Sequence, residues 1–515
     1  MSENEVEFRN YVEEILDGLS EVPGREVVVF GERRIGADEF RSTVYRLARA
    51  LRRLGVEPGR TVTLLCGNLP ETIAARYAVN LLGVQYNHLY NRLAAEVQAK
   101  MIADVDTSVL IVDPALAGRA RELLERVPVE RVLLLGPVPE EAPAGSVDLL
   151  ALAAGESAEP VPSPARPEDL CFIRHSGGTT GHPKGIRSTF GRMSGLGLFH
   201  DPDGPAAPRD LLATPLSHAG GFLADNALAT GGTVVLHYGF EPGEILATIE
   251  RERITRMFLL PPLLYQVVDH PGGERFDTSS LRTVTYGGTP SSPTRIARAL
   301  RRLGPVLQQG YGQFEAGGIS LLPPADHDPD RLDVLRTAGR VAPGVEVEIR
   351  DPDGKALPTG EVGEICVLTA QPMEGYWKDP ELTARVLRDG WIHTGDLGSF
   401  DEDGRLTVVD RIKDMIAVVG GHVYTTELEE FLAGHPEVRD SAVYGVRDAD
   451  GGYERIHVTV VLAPGAATTA DELRELIAEG RGPMYVPDRI EFVDRLPLTD
   501  AGKPDKKLLR LRADA

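Results

Sequence analysis

Between positions 171 and 189 the chain reads CFIRHSGGTTGHPKGIRST. Cys171, Phe172 and Ile173 make a short apolar run of the kind that becomes a buried strand. It passes into Ser176, Gly177, Gly178, Thr179, Thr180 and Gly181, then His182, Pro183, Lys184 and Gly185. Glycines let a backbone turn sharply and bring its N–H groups against an anion. Ser176, Thr179 and Thr180 add hydroxyl donors and Lys184 adds a positive charge, so the loop suits a polyphosphate. It is not the loop of the common P-loop nucleotidases, which needs Gly-Lys followed by Ser or Thr. Here Lys184 follows Pro183 and precedes Gly185, and no hydroxyl stands beside the lysine to hold a metal.

Other groups further along suit the rest of a nucleotide. Tyr286-Gly287-Gly288-Thr289 and Gln309-Gly310-Tyr311-Gly312-Gln313-Phe314-Glu315 each close a strand-like run. In an open α/β sheet, ligands bind beyond the carboxyl ends of strands. Glycines there let the backbone lie against a planar base, and Tyr311 can stack on it. Glu315 is a hard oxygen ligand suited to Mg²⁺ bridging phosphates. GWIHTGDLG (390–398) sets Asp396 between glycines, where a carboxylate can accept both hydroxyls of a ribose diol. The charged run Asp410-Arg411-Ile412-Lys413-Asp414 follows, then Gly420-Gly421, and Lys503 lies in the polar loop PLTDAGKPDKK. Taken singly, each is an ordinary turn or surface charge.

The elements that must position these groups alternate. Phe40, Val44, Leu47, Leu51 and Leu54 recur at helical spacing over 38–54 and Gly55 stops that helix. Strands are predicted at 61–66, 107–113 and 129–136, with a helix over 70–83. The stretch 137–167 reads as a surface connection. Strand-like runs resume at 211–218, 233–239, 254–262 and 281–288, so a parallel sheet covered by helices is expected. From about Val341 short strands with hairpin signals at Asp353-Gly354 and Asp403-Gly404 predict a β-rich subdomain. The last hundred residues read as strands at 441–446, 457–463 and 489–494 with helices at 426–434 and 470–479, a small α+β domain.

At 515 residues the chain is too long for one core. A formal net charge of −22 argues against a general nucleic-acid or anionic-membrane binder. Cys66, Cys171 and Cys366 are far apart, without metal or disulfide spacing, which fits a reducing compartment. The acidic start MSENEVEF is unlike a signal peptide, and no apolar run approaches the ~18 residues of a membrane span. A cytoplasmic protein, monomeric or homodimeric, is expected.

Read in order, SGGTTGHPKG, PLSH, YGG, YGQFE, GWIHTGDLG, the DRIKD to GGHVYTTELEE block and PLTDAGKPDKK resemble the motif series of adenylate-forming enzymes. That superfamily holds acyl-CoA synthetases, peptide-synthetase adenylation domains and luciferases, and the match covers about residues 30–510. The resemblance implies a large α/β N-terminal domain with a β-rich subdomain (1–412) and a small mobile α+β domain (413–515) hinged at Lys413. It implies ATP, Mg²⁺ and coenzyme A, and a small carboxylic acid activated as its adenylate, then passed to a thiol. Ser176, Thr179, Thr180 and Lys184 would hold the ATP phosphates, and Glu315, with Thr179, the Mg²⁺. Gly288 and Tyr311 would border adenine, Asp396 would bind the ribose and Arg411 the ribose or phosphate. Lys503 would reach the carboxylate and α-phosphate, His218 would sit by the acid, and Gly420-Gly421 would form the thiol channel. His218, Phe222, Asp225, Tyr286 and Phe314 would line or approach the acid pocket, which suits an aryl or medium-length acyl acid unless Asp225 pairs with a substrate amine.

Two positions depart from the family pattern. Phe314 stands where a threonine is usual, and Thr425 where a proline is usual. The acceptor could also be a separate carrier protein or an amine. A nucleotide-binding protein without catalysis is disfavoured, because it would not need Lys184, Glu315, Asp396, Arg411 and Lys503 together.

Overall fold

The computed structural model describes residues 8–176, 184–194, 207–418, 421–447, 454–499 and 503–513, with the backbone alone at Ser176 and Gly421. Thr179, Thr180, Gly420 and the Ser176 hydroxyl therefore lie outside the described residues. The chain gathers into two compact units. The first comprises Met1–Phe258, Gly272–Arg282 and Met373–Leu382; the second comprises Leu259–Pro271, Thr283–Pro372 and Thr383–Ala515.

In the first unit a seven-stranded sheet runs Val147–Asp148, Arg131–Leu134, Val109–Val112, Thr61–Leu65, Gln85–His88, Leu170–Ser176, Lys184–Thr189. Its strands are parallel except the last, which folds back antiparallel and sets Lys184 opposite Ser176. The central strands are buried throughout, as their Val, Leu and Ile content requires for a sheet covered on both faces. Helix Ala37–Arg53 buries Phe40, Val44, Leu47 and Leu51, the stripe its spacing predicts. It ends where Gly55 takes φ +81° and the Val56 N–H reaches back to the Leu51 carbonyl at 3.0 Å. A second set of strands runs Arg256–Leu259, Arg209–Leu212, Thr233–Leu236, Glu26–Phe30, Arg33–Gly36, parallel until its final hairpin.

The stretch 137–167 is more than a surface connection. Val147–Asp148 adds a strand to the sheet edge, and Leu149–Ala154 is a helix whose N-terminus Asp148 caps by accepting the Ala151 N–H at 2.9 Å. Its six residues are too few to carry a legible period.

The second unit contains Thr283–Gly287 parallel to Leu307–Gln313, followed by the antiparallel strands Gly317–Leu322 and Arg340–Val341. The expected β-rich subdomain is an antiparallel sheet of Val345–Arg350, Gly363–Thr369, Trp391–Phe400 and Leu406–Arg411, with Leu387–Arg388 at an edge. Beyond it, Val438–Arg447, Glu454–Leu462 and Arg489–Phe492 form a three-stranded sheet packed with helices Thr425–Ala433 and Ala470–Arg481. The fold is thus α/β with a β-rich subdomain and a smaller α+β portion, as the motif order implies. Cys66, Cys171 and Cys366 are all buried and unbridged. Burial pushes each thiol up, Cys366 to about 12. Among the described residues no helix is long and apolar enough to cross a membrane.

Candidate active site

The second unit brings four of the sequence-predicted residues together. Asp396, 3% exposed, lies on strand Trp391–Phe400 directly across from Arg411. Its Oδ2 accepts from the Tyr311 hydroxyl at 2.8 Å and from Gln313 Nε2 at 2.6 Å. Its Oδ1 is 3.0 Å from Arg411 Nε but unaligned for a hydrogen bond, and receives none from the described residues. A buried carboxylate oxygen with open lone pairs fits the hydroxyls of a ribose. The strand segment that aims it is held by Glu364, whose Oε1 accepts the Gly395 N–H at 3.1 Å and whose Oε2 is 2.8 Å from His393 Nδ1.

Lys503 is half-buried beside this group. Burial first, then the neighbouring Arg411 and Lys413 cations, lower its pKa to about 8, against the opposing pull of Asp396. A lysine so placed delivers a desolvated positive charge, the form most effective against charge building on phosphate.

Beyond the strand ends, Gly288 takes φ +78°, a conformation that glycine adopts freely. Thr289 Oγ1, on the next residue, and Gln309 Oε1, on the neighbouring strand across from Tyr286, are buried and receive no hydrogen bond from the described residues. Two orphaned polar atoms here fit the edge of a base. Both residues fall inside the glycine-rich motifs, yet nothing in the sequence marks a role for them or for Gln313. Glu315 is half-buried on the turn between Leu307–Gln313 and Gly317–Leu322, and its carboxylate is a suitable Mg²⁺ ligand by donor type. Phe314 beside it is 37% exposed.

In the first unit, Lys184 Nζ stands 5.8 Å from the centroid of the Tyr376 ring. The segment carrying Tyr376 is laced to the lysine's strand, with Trp377 N–H donating to the Gly185 carbonyl at 2.7 Å and Arg187 N–H to that of Gly375 at 3.0 Å. Nothing in the sequence around Tyr376 announced that pairing. His218 opens helix Ala219–Ala229, its ring 4.9 Å from that of Tyr90 and its Nδ1 3.2 Å from Ser217 Oγ. Phe222 follows on that helix, half-buried.

Two acid-pocket expectations are corrected. Asp225 is 2% exposed and closed into an ion pair with Arg76, while also accepting the Tyr77 hydroxyl at 2.8 Å. Its charge is already matched inside the core, so it is not a partner for a substrate amine. Tyr286 is fully buried with its hydroxyl 3.0 Å from His327 Nε2, a core side chain rather than a pocket wall.

A second buried network surrounds Asp410, the neighbour of Arg411. Asp410 Oδ2 accepts the Thr425 N–H at 2.5 Å and the Thr425 hydroxyl at 3.1 Å. Lys506 Nζ donates to Thr425 Oγ1 at 2.8 Å and pairs with Glu429 at 2.9 Å. The usual proline at 425 would offer neither N–H nor hydroxyl, so this departure is larger than sequence alone suggested. Gly421 pairs with Val418 in the hairpin Ile416–Val418/Gly421–Val423.

Comparison with known proteins agrees with this geometry. A family model described as AMP-binding enzyme matches residues 18–377, and one described as AMP-binding enzyme C-terminal domain matches residues 427–503. The chain is 37% identical to the medium/long-chain-fatty-acid–CoA ligase FadD8 of Mycobacterium tuberculosis, over 97% of this chain and 89% of that one. It is 37% identical to a feruloyl-CoA synthase of an Amycolatopsis species, over 92% and 93%. Among solved structures, the amide bond synthetase McbA from Marinactinospora thermotolerans superposes with a TM-score of 0.89 at 42% identity, covering 98% of this chain and 99% of that one.

Proposed function

The chain belongs to the AMP-binding enzyme family, and on that footing we propose which of its residues carry each step of the family's chemistry. The protein is an AMP-forming acid–thiol ligase: it activates a carboxylic acid with ATP as an acyl-adenylate, releases pyrophosphate, and transfers the acyl group to coenzyme A. The observation that carries the assignment of roles is the cluster of Tyr311, Asp396, Arg411 and Lys503 in one unit.

Asp396 holds the ribose through its open Oδ1, with Tyr311 and Gln313 fixing the carboxylate. Lys503 meets the incoming carboxylate and the α-phosphate and offsets the repulsion between two anions. Ser176, Thr179, Thr180 and Lys184 hold the phosphates that leave. Glu315, with Thr179, would hold Mg²⁺, which when bound would supply positive charge against the phosphates. Gly288 borders the adenine, and His218 positions the acid. Residues 1–412 and 413–515 act as separate domains hinged at Lys413, so that Lys503 withdraws and Gly420-Gly421 approach once the adenylate is made. The apolar side chains Phe222 and Phe314 suit an aryl or medium-length acyl acid.

The test is acid-dependent ATP–pyrophosphate exchange over a panel of aryl and acyl acids, followed by coenzyme A with the best of them. Exchange with at least one acid and thioester formation are expected; exchange with none would overturn the reading. The likeness to an amide bond synthetase favours one second reading, in which an amine takes the acyl group. Faster AMP release with amines than with coenzyme A would select it. A separate carrier protein as acceptor would appear as acylated carrier in the same assay.

Lys503 also sets a pH profile. The cation is the working form, and it predominates below about pH 8. The adenylation kcat/KM is therefore expected to be flat up to about pH 7 and to fall about tenfold per unit above about pH 8. Lys503→Arg, always charged, should remove that fall while lowering the plateau.

A further inference from the structure

Asp410 is 6% exposed and Thr425 0%, and the two meet across Lys413, which lies between them in sequence. Both belong to the second unit. Asp410 stands beside Arg411 at the end of strand Leu406–Arg411, and Thr425 opens helix Thr425–Ala433. The Thr425 N–H donates to Asp410 Oδ2 at 2.5 Å, and its hydroxyl donates to the same oxygen at 3.1 Å. Hydrogen bonds to a buried charged acceptor are stronger than neutral ones, because the carboxylate left without donors gets no water in exchange. Asp410 shows that cost: burial pushes its carboxyl up, while Lys506 and the donors of Arg411 and Thr425 pull against it.

The same threonine is fastened to the segment that carries Lys503. Lys506 Nζ donates to Thr425 Oγ1 at 2.8 Å and pairs with Glu429, one turn along the helix, at 2.9 Å. Lys506 opens helix Lys506–Ala513, and Arg510, one turn later on it, donates to the Gly445 carbonyl at 3.1 Å. Upstream, the turn bearing Lys503 is closed by the Thr499 N–H donating to the Lys503 carbonyl at 2.6 Å and the Asp505 N–H to that of Pro497 at 2.8 Å. Lys503 is thus held at a fixed reach from Thr425, and Thr425 at a fixed reach from Arg411. Two further bonds join residues before Lys413 to residues after it. Arg336 Nε donates to Glu430 Oε1 at 2.9 Å, and Arg295 Nη1 to the Arg439 carbonyl at 2.6 Å. Both are exposed, where water competes and such contacts contribute little. The buried contact is the strong one.

We propose that Thr425 is a positioning residue that latches Lys503 in its adenylating place: its two bonds to Asp410 hold the segment after Lys413 against the strand of Arg411, and they break when Lys503 withdraws for the thiol step. The inference rests on the proposed hinge at Lys413. Such a latch sets how the chain divides its time between the two half-reactions. Adenylation scales with the latched fraction and thioester formation with the released one, so the ratio of the two rates follows the equilibrium between them. General damage to the fold lowers both rates and leaves that ratio alone.

Thr425→Pro removes both donors at a position that accepts proline. It is the first residue of its helix, and Tyr424 before it is already extended at φ −83°, ψ 120°. Thr425→Ala keeps the N–H, and Thr425→Ser keeps both donors. With octanoate and 4-hydroxycinnamate as acids, ATP–pyrophosphate exchange and the reaction of each synthetic adenylate with coenzyme A are measured for wild type and the three variants. The ratio of thioester formation to exchange should rise about 10–100-fold in Thr425→Pro, less in Thr425→Ala, and stay within about twofold in Thr425→Ser. A folded Thr425→Pro enzyme whose ratio stays within about twofold of wild type overturns the latch. Lys503→Ala lowering both half-reactions equally would remove the hinge itself, and the latch with it. Should wild type exchange with neither acid, spin labels at Glu361→Cys and Glu475→Cys decide, since both sites are exposed, lie on either side of Lys413 in sequence, and the native cysteines are buried. Thr425→Pro then gains a second label-to-label distance at the expense of the wild-type one; identical distance distributions overturn the proposal.

Discussion

Lys503→Ala lowers acid-dependent ATP–pyrophosphate exchange by about 10²–10³-fold, the size expected when a preorganised group opposite developing charge is lost. The half-buried ammonium faces Asp396 and Arg411, and its depressed pKa records that it has given up much of its water shell. Alanine leaves the anionic attack on phosphate without that charge, and water entering in its place cannot be preorganised. Thioester formation from a supplied acyl-adenylate should persist within a few-fold, because the phosphate bond that Lys503 serves is already made. Measuring the two half-reactions separately checks the assignment. Equal losses in both would mean that Lys503 supports the fold of its neighbourhood rather than one chemical step.

The largest effect on stability is expected at Asp225. Its partner Arg76 is 1% exposed, and its guanidinium packs so closely on Gly221 that any Cβ there would collide with it. Burial pushes the Asp225 carboxyl up, and Arg76 and the Tyr77 hydroxyl pull against it. Asp225→Ala strands a cation in the core of the first unit and costs about 3–5 kcal/mol. The double replacement Arg76→Met with Asp225→Leu should cost much less, because no charge is left unmatched. Urea denaturation, followed by hydrogen exchange on strands Thr61–Leu65 and Val109–Val112, reads this out in the unit concerned. A double variant as unstable as the single would show that shape rather than charge sets the cost.

Which parts were legible from sequence follows from range. Helix Ala37–Arg53 and the strands of the parallel sheet write their burial into a local period, and their bounds agree with the predictions within a few residues. Glycine-rich strand ends advertise a nucleotide because their chemistry is local too. Partnerships are not local. Asp225 reads as a lone acid on an apolar helix until Arg76, 149 positions earlier, is found against it. Tyr311 suggested a stacking ring, but its hydroxyl also props Asp396 across 85 positions. Thr425 seemed a minor departure until Asp410 and Lys506 were seen to converge on it from either side in sequence.

The buried cysteines bear on chemoselectivity. An acyl-adenylate is an electrophile made to be taken by sulfur, and the attacking species is a thiolate. Cys66, Cys171 and Cys366 are the only three cysteines in the chain, and all are sunk in the core with their acidity suppressed. The catalyst therefore holds no competent sulfur nucleophile of its own at neutral pH. Self-acylation at sulfur is closed off by burial, and every thioester that leaves carries a sulfur brought in from outside.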